Sequence, residues 1–302
     1  MPSTRSSDTL ASVTTSLAAQ AWGRERGRLI GIAYRMLGDL GEAEDVASDV
    51  AESALAAERR GDDVRSWPAW LTTACVRRSI DRVRALAARR ETYPGPWLPE
   101  PVSPDRLPDE VAATRELLSL TLLHLAEQLR PEARAALVLH RAFGMTAREI
   151  GEILERSPAA VRQSISRAER TLRIAPGDPA PRPADAAALG RLVAAIETGD
   201  VAQVLALLDD DVVLWSDGGG RVSAARRPIV GADAVARFIL GVLDKAVRAG
   251  TPTTLAPLVV NGEAALDLRR AGRRDVVVLE LTPEGRVRGV RQVSNPDKLT
   301  RV

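Results

Sequence analysis

This 302-residue chain contains two adjoining blocks of opposite charge. The types and spacing of their residues suit non-covalent binding. Residues 39–63 hold nine acidic side chains and two arginines, whereas residues 65–90 hold seven arginines and one aspartate. A basic surface attracts nucleic acid and an acidic one suits a basic protein, so the blocks predict two different partners. The competing interpretation is a solvated acidic helix followed by an ordinary amphipathic one.

An aromatic pair opens the basic block, in Trp67-Pro68-Ala69-Trp70, although the whole chain has five tryptophans. Aromatic rings beside arginines are what a protein needs to stack on unpaired bases while it holds the nucleic-acid backbone. The spacing of apolar residues predicts the elements that position these groups. Helices are expected over residues 22–37, 42–60 and 67–90, and together they make a small all-α domain.

A second polar face is predicted in residues 157–173. Ser157 can cap a helix that has Pro158 at its first position, and a capping box over residues 146–149 starts the helix before it. The side chains left outside the apolar stripe of the second helix are Arg162, Gln163, Ser166, Arg167 and Arg170. Two helices joined by a short turn predict a helix-turn-helix, whose second helix enters the major groove and reads bases through Arg and Gln. A plain three-helix bundle is the alternative.

Two proline-rich segments divide the chain. Residues 93–108 hold six prolines, yet Trp97 and Leu98 lie among them, and apolar residues in a linker are expected to pack on another part of the protein. A helix is predicted over residues 109–130. The predicted divisions are a flexible tail (1–21), a helical domain (22–93), a linker (94–113), a helix-turn-helix domain (114–175), a second linker (176–184) and a third domain (185–302).

The third domain has a different pattern, in which helices precede strands. Predicted helices cover residues 186–198, 201–208 and 232–248, and predicted strands cover residues 212–215, 255–260, 264–268, 275–281 and 287–293. Glycines at 262, 272 and 285 mark the turns of an antiparallel meander. The layout predicts an α+β domain, so the whole chain is expected to be multidomain, with two all-α domains before it.

The composition argues against several classes of function. With Cys75, His124 and His140 as its only cysteine and histidines, the chain can form no intrachain disulfide and is not expected to bind a metal. A polar N-terminus and the lack of a long apolar run predict neither a secretory signal nor a membrane span, so the expected location is the cytoplasm. Net charge is only +2, so affinity for nucleic acid must come from local patches.

Three stretches of the first domain carry a family resemblance. They are residues 28–38 (Arg-Leu-Ile-Gly-Ile-Ala-Tyr-Arg-Met-Leu-Gly), 43–46 (Ala-Glu-Asp-Val) and 69–73 (Ala-Trp-Leu-Thr-Thr). They resemble region two of bacterial sigma factors of the extracytoplasmic-function group, and the helix-turn-helix segment resembles region four. The order and separation of the two regions fit that group.

The resemblance implies two partners, core RNA polymerase and promoter DNA. It implies that the clamp helices of the largest polymerase subunit bind Glu42, Glu44, Asp45, Asp49 and Glu52. It implies that the promoter −10 element is captured and melted by Trp67, Trp70, Arg77, Arg78, Arg82 and Arg84. The five polar side chains of residues 157–173 would bind the −35 element, and their domain would contact the polymerase flap.

The third domain resembles the SnoaL-like, cone-shaped fold of polyketide cyclases and ketosteroid isomerases. Three short motifs resemble those of a sigma-factor subgroup with such a domain fused at the C-terminus, similar to the mycobacterial sigma J type. The motifs are Trp97-Leu98-Pro99-Glu100-Pro101, Asp217-Gly218-Gly219-Gly220 and Asn295-Pro296-Asp297-Lys298-Leu299. The resemblance implies that the third domain regulates the sigma factor in cis, through contacts among these motifs.

Two other functions compete with that of a sigma factor. Residues 176–302 contain no His, Cys or Tyr, and Asp217 is a lone candidate acid, so no catalytic residue, cofactor or enzymatic activity is expected. The rival function is a one-component regulator, a helix-turn-helix protein with a small-molecule sensor, but such a regulator has no need of residues 28–90. Whether the third domain binds a small molecule stays open at this point.

Overall fold

Three long helices come first in the structure, a computed structural model that describes residues 16–109, 111, 117–174, 182–270 and 272–302. They are α1 (Leu17–Leu37), α2 (Leu40–Arg60) and α3 (Trp67–Arg90). The side-chain oxygens of Ser16, Asp39 and Ser66 accept backbone N–H groups in the first turns of these helices. These caps satisfy donors that the start of a helix leaves free, and they explain where each helix begins.

The first helix begins five residues before the predicted boundary at residue 22. Besides the cap from Ser16, the Glu58 carboxylate accepts hydrogen bonds from the N–H groups of Leu17 (2.7 Å) and Ala18 (3.3 Å). The prediction of a flexible tail is therefore wrong for residues 16–21, because the helix start is anchored on α2. Residues 1–15 of the predicted tail lie outside the described residues.

Four shorter helices follow the first linker. They are α4 (Leu120–Ala126), α5 (Pro131–Arg141), α6 (Ala147–Leu154) and α7 (Pro158–Leu172), and a 3₁₀ turn (Pro104–Arg106) lies in the linker itself. The predicted capping box at Thr146 and Glu149 is present. The predicted continuous helix over residues 109–130 is wrong in its described part, because Leu117 has a positive φ of 56° and Ser119 caps a new helix. Residues 110 and 112–116 lie outside the described residues.

The third domain combines a mixed sheet with three helices. Its elements are β1 (Arg182–Pro183), α8 (Ala186–Thr198), α9 (Val201–Leu207), β2 (Leu208–Asp217), β3 (Ile229–Val230), α10 (Ala232–Arg248), β4 (Thr253–Val260), β5 (Glu263–Arg270), β6 (Arg273–Leu281) and β7 (Val287–Val293), followed by a 3₁₀ turn (Pro296–Lys298). The sheet order is β3-β2-β7-β6-β5-β4, with β1 paired to β6. The predicted antiparallel meander from β4 to β7 is confirmed.

Several features of the sheet were not predicted, among them β1 and β3. β2 runs from 208 to 217 rather than 212–215, and it pairs in parallel with β7, with Leu214 opposite Val290. The end of the predicted second linker is also structured, since Arg182 and Pro183 pair with β6. Residues 176–181 of that linker lie outside the described residues. Strand periodicity marks which segments are strands, but it does not say which strand lies beside which.

Both faces of the sheet are covered. Because successive side chains of a strand point to opposite faces, Leu279 packs with the helices α8 to α10, whereas Val276 and Val278 face the other way. On that outer face they contact Leu98 of the first linker and Leu120 of α4. The outer face of the sheet of the third domain is therefore covered by residues from the first linker and the helix-turn-helix domain.

The two helical domains also share one apolar core. A single cluster of buried side chains runs from Ala18 in α1 to Leu172 in α7. The buried guanidinium of Arg134 in α5 donates to the carbonyl oxygen of Met36 at 2.7 Å and to the carboxylate of Glu127 at 2.8 Å. The helix-turn-helix domain is thus packed directly on the first domain.

A two-residue turn between β4 and β5 joins all three parts of the chain. Asn261, which is 2% exposed and has a φ of 55°, donates to the Tyr34 hydroxyl at 2.6 Å and to the carbonyl oxygen of Leu118 at 3.1 Å. Its side-chain oxygen accepts the N–H of Val102 at 3.0 Å. One amide side chain therefore links the third domain to α1, to the linker and to the start of the helix-turn-helix domain.

Candidate functional site

The acidic helix α2 presents its candidate polymerase-binding side chains along one edge. Its opposite face is buried through Val46, Val50 and Ala54, which is why the acids point outward. Asp45, Asp49 and Glu52 are exposed. The other two candidates are half-buried and have partners: Glu42 binds Arg82 of α3, and Glu44 binds Arg301 near the C-terminus at 2.8 Å.

The basic helix α3 turns part of its charge toward α2. Besides Arg82 on Glu42, Arg78 donates to the Ser53 hydroxyl at 2.5 Å and lies 3.8 Å from the carboxylate of Asp49. The two charged blocks, which the sequence assigned to two different partners, thus contact each other. The reason is that α2 and α3 pack side by side in the same small domain.

The remaining candidate arginines of α3 reach the helix-turn-helix domain. Arg77 donates to the carboxylate of Glu155 at 2.7 Å, and Arg84 binds Glu132 as well as Asp81. Both arginines are more than half exposed, so water screens these ion pairs and each contributes little stability. The contacts nevertheless show that α3 and the helix-turn-helix domain lie within side-chain reach of each other.

An open cleft of about 670 Å³ lies at the start of α3. The rings of Trp67 and Trp70 meet edge to face at 5.8 Å, and Trp70 lines the cleft together with Arg77 and Arg78. An aromatic wall with guanidinium groups beside it can stack an unpaired base and hold its phosphate. The structure thus brings together four of the six side chains proposed for the −10 element.

The second helix of the helix-turn-helix has the predicted phase. Its buried stripe consists of Val161, Ile165, Ala168 and Leu172. The five candidate side chains are all exposed: Arg162, Gln163, Ser166, Arg167 and Arg170. Ser157 caps this helix as predicted by accepting the N–H of Ala160. A helix with one buried stripe and an exposed Arg/Gln face is what binding in a major groove requires.

The linker motif (residues 97–101), the glycine-run motif (217–220) and the tail motif (295–299) meet at the buried carboxylate of Asp217. Its Oδ2 accepts the N–H of Leu98 at 2.9 Å and pairs with the Lys298 ammonium at 2.7 Å. Its Oδ1 accepts the Tyr93 hydroxyl at 2.6 Å and the N–H of Gly219 at 3.1 Å. Asp217 is fully buried, so these donors replace the water that a carboxylate would otherwise bind.

Trp97 of the linker lies between two cations. The Arg90 guanidinium is 3.4 Å from the ring centroid, and the Lys298 ammonium is 4.1 Å from it. Lys298 also donates to the Leu98 carbonyl oxygen at 2.5 Å, and burial lowers the pKa of its ammonium to about 8. The indole ring therefore connects the end of α3 to the C-terminal tail through cation–π contacts.

The glycine run of the second motif permits close approach to the linker and the tail. Gly219 has a φ of 59°, and a Cβ atom there would lie 2.2 Å from the side chain of Asn295. At Gly220 a Cβ atom would lie 2.8 Å from Pro94. Beyond the glycines, Arg221 binds Asp297 at 3.0 Å. The glycines are needed because Asn295 and Pro94 occupy the space that side chains would fill.

The linker motif is also attached to the acidic helix. Pro99 lies against Gly38, and Pro101 is buried. The Glu100 carboxylate accepts the N–H of Leu40, the first residue of α2, at 2.7 Å, and lies 3.5 Å from Arg301. Burial raises the pKa of Glu100 to about 7. The tail motif packs beside the linker motif. Its Pro296 begins a 3₁₀ turn, and Leu299 after this turn is 9% exposed and belongs to the apolar cluster on the outer sheet face.

A second buried carboxylate holds α4 on the third domain. Glu263 Oε1 accepts the N–H of Leu120 at 2.6 Å, and burial raises the pKa of this carboxyl to about 7. Beside it the buried Arg291 donates to His124 Nδ1 at 3.2 Å and binds Glu280 at 2.9 Å. Burial, and then the charge of Arg291, lower the pKa of His124 to about 3. The imidazole is thus kept neutral as an acceptor.

Several residues of this interface were missed in the sequence. They are Tyr93, Asn261, Glu263, Arg291 and Arg301. Tyr93 carried a signal, because it is one of two tyrosines in an aromatic-poor chain and precedes the linker motif. The Asn-Gly pair at 261 and 262 signalled a turn but not its partners. The charged residues gave no signal, since their partners in the helical domains lie more than a hundred positions away in the chain.

The buried carboxyl of Glu263 predicts how stability changes with pH. Its pKa is raised from the ordinary 4.5 to about 7, so its stabilising contribution is complete below pH 4.5 and is lost as the pH rises through 7. Between pH 5 and pH 8 the unfolding free energy of the wild type should fall by up to about 3 kcal/mol relative to Glu263→Gln. Urea unfolding across this range measures it, with Glu152→Gln at an exposed site of α6 as control. A pH-independent difference would contradict the prediction.

Comparison with known proteins places this arrangement in a family. Residues 22–89 match sigma-70 region 2, and residues 119–172 match sigma-70 region 4. The chain is 36% identical to the ECF RNA polymerase sigma factor SigJ of Mycobacterium tuberculosis over 91% of each chain. It is 30% identical to the probable ECF sigma factor SigI of the same organism, over 73% of this chain and 75% of the relative.

A solved structure agrees with the fold along nearly the whole chain. The crystal structure of M. tuberculosis SigJ matches 94% of this chain and 100% of its own, with a TM-score of 0.71 and 29% identity. The predicted fold class is confirmed as two helical sigma domains followed by an α+β domain with a mixed sheet. Among the described residues, no helix is long and apolar enough to cross a membrane. The chain belongs to the extracytoplasmic-function group of RNA polymerase sigma factors, the non-enzymatic factors that direct polymerase to promoters to initiate transcription.

Proposed function

We propose that each sigma domain uses the surface that its sequence indicates. The acids of α2 dock on the clamp helices of core polymerase, and the cleft beside Trp67 and Trp70 captures the melted −10 element. The exposed face of α7 reads the −35 element, and its domain contacts the polymerase flap. The observation that carries this proposal is α7, where all five candidate side chains are exposed opposite a buried stripe. The domain boundaries proposed from the sequence accompany this assignment, with two changes: the first domain begins at residue 16, and residues 182–183 join the third domain.

The packed arrangement is proposed to be a closed state that must open on the promoter. By their names, the −10 and −35 elements lie about 25 base pairs apart, which is roughly 85 Å at 3.4 Å per base pair. In the structure Arg77 of α3 binds Glu155, three residues before α7 begins, at 2.7 Å. Side chains this close cannot contact two elements that far apart on straight DNA, so the two sigma domains have to separate.

The third domain is proposed to regulate this opening in cis. It contacts the linker through Asp217 and the start of α4 through Glu263, and its Arg301 occupies Glu44, one of the acids proposed to bind polymerase. Because the domain is tethered, these contacts are intramolecular and even modest ones shift the equilibrium. The same tether allows the domain to close again when polymerase leaves.

We infer no catalysis by the third domain and propose that the protein works in the cytoplasm with polymerase. The carboxylate of Asp217 is fully buried and already accepts from Tyr93, Leu98 and Lys298, which leaves it as a structural acceptor rather than a base open to substrate. The rival one-component regulator offers no use for a polymerase-docking helix or a base-stacking cleft, which favours the sigma function.

The direct test is copurification with core RNA polymerase from the source cell, followed by transcription from genomic fragments. We expect a complex with core polymerase and new transcripts whose start sites share a −10 and a −35 sequence. As control, a chain with Asp45, Asp49 and Glu52 changed to alanine should keep its fold and lose core binding. Binding to DNA without binding to core polymerase would support the one-component regulator instead.

Loss of the indole ring tests regulation through the linker. Trp97→Ala removes both cation–π contacts while leaving the helices intact, so the closed state should lose roughly 1–2 kcal/mol and promoter activity should rise about fivefold or more. Transcription in vitro measures the change, and circular dichroism confirms folding. Trp97→Phe, which keeps a ring between the cations, is the control. Unchanged transcription from a normally folded Trp97→Ala protein would contradict the proposal that the third domain regulates through the linker.

Removal of the Arg301 charge tests competition for the acidic helix. Arg301→Gln frees Glu44, so core polymerase should bind about two- to fivefold more tightly, as expected for a partly exposed ion pair. Arg237→Gln, which removes an exposed arginine paired within α10, is the matched control. Equilibrium titration with labelled core polymerase gives both affinities, and equal values for the two variants would argue against competition.

A further inference from the structure

A cavity of about 60 Å³ lies inside the cone of the third domain, between the sheet and two of its helices. Its walls are apolar side chains, among them Leu192 and Ile196 of α8, Phe238 and Val242 of α10, and Leu266 of β5. A volume of this size has room for about four water-sized groups. The walls offer water few partners, so they favour an apolar occupant.

Two polar side chains interrupt the apolar wall, Arg270 of β5 and Gln292 of β7. Strand register explains why they face inward. Arg270 is four positions beyond the inward-facing Leu266, and Gln292 lies opposite Val277, another residue of the cavity wall. The cavity thus has a polar end within an otherwise apolar enclosure.

The polar end carries an excess of positive charge. Asp275, which is fully buried, pairs with Arg270 at 3.0 Å and with Arg273 at 2.8 Å. Two guanidinium groups share one carboxylate, which leaves one positive charge uncompensated in this group of three. Within the described part of the chain, the buried Nε of Arg270 has no hydrogen-bond acceptor. A buried donor and a surplus cation together are completed by an anion.

The mouth of the cavity is apolar as well. Phe238, Ile239, Val242 and Leu243 of α10 and Leu255 of β4 line the cavity but stay only half-buried. The face that α10 turns toward the sheet is therefore not fully covered by the rest of the domain. An apolar chain that entered between α10 and β4 would bury these side chains further.

We propose that this cavity is a binding site for a small monocarboxylic acid with a short apolar chain. The carboxylate pairs with Arg270 and the amide of Gln292 orients it. The first carbons of the chain fill the cavity, and the remainder lies in the apolar mouth between α10 and β4. The site is on the inner face of the sheet, whereas the contacts with the sigma domains are on the outer face. It is therefore separate from the interface through which the domain is proposed to regulate.

Comparison of three six-carbon compounds on the wild-type chain tests the charge requirement without any variant. Hexanoate should raise the melting temperature in a concentration-dependent way and bind at least about tenfold more tightly than hexanol, because a charge-assisted hydrogen bond is added. Hexylamine should bind no more tightly than hexanol. Thermal shift and isothermal titration calorimetry give these values. Equal binding of hexanoate and hexanol would overturn the proposed carboxylate site. The absence of hexanoate binding at 10 mM would overturn it as well, because this concentration is about ten times the expected Kd of roughly 1 mM.

Variants then locate the site. Val242→Phe places a ring in the cavity from a half-buried position of α10, and it should abolish hexanoate binding. Val247→Phe, at a 74% exposed position of the same helix, should leave it unchanged. Arg270→Gln should reduce hexanoate affinity to that of hexanol. Binding to Val242→Phe with wild-type affinity would show that hexanoate binds elsewhere and would overturn the assignment.

Discussion

The buried ion pair of Asp217 and Lys298 is the interaction on which the rest of the assembly depends. Both charges are buried, and the donors and acceptors that satisfy them come from the linker as well as from the third domain. Removing one partner of such a pair leaves an uncompensated buried charge, which costs several kcal/mol. Withdrawal of the linker would take away the N–H and the carbonyl oxygen of Leu98 together. The interface is therefore expected to open and close as a unit, because partly broken arrangements leave charges buried and unsatisfied.

Local chemistry in the sequence was sufficient for most of the helices. The predicted caps at Thr146 and Ser157 gave the starts of α6 and α7. Apolar spacing alone placed the starts of α2 and α3 within two residues. The failures lie where a tertiary contact decides. Leu117 adopts a positive φ beside Leu118, whose carbonyl oxygen is held by Asn261, a residue 143 positions away. In the same way, the parallel pairing of β2 with β7 joins two strands that are separated in the chain by β3, α10 and β4 to β6.

The candidate site could be predicted as motifs but not as geometry. The three motifs named most of the residues that meet around Asp217. The rarity of tyrosine marked Tyr93 as unusual, but the sequence did not indicate that Asp217 is its hydrogen-bond partner. Charge blocks named the acids of α2 and the arginines of α3, but the block pattern suggested separate partners. Arg82 and Glu42 are 40 positions apart and meet because two helices are antiparallel neighbours. Pairing of this kind depends on helix packing, which charge composition alone does not encode.

Several charges that are proposed to bind DNA or polymerase neutralise each other in the structure. Surface pairs such as Arg77 with Glu155 are largely exposed, so each contributes at most about 1 kcal/mol and weakens as salt concentration rises. DNA phosphates and polymerase can replace such pairs at little cost. The buried contacts of Asp217, Asn261 and Glu263 cannot be exchanged in this way, because their partners are internal. In the proposed opening, electrostatics would therefore determine which surfaces become free, whereas the buried interface of the third domain would determine whether they do.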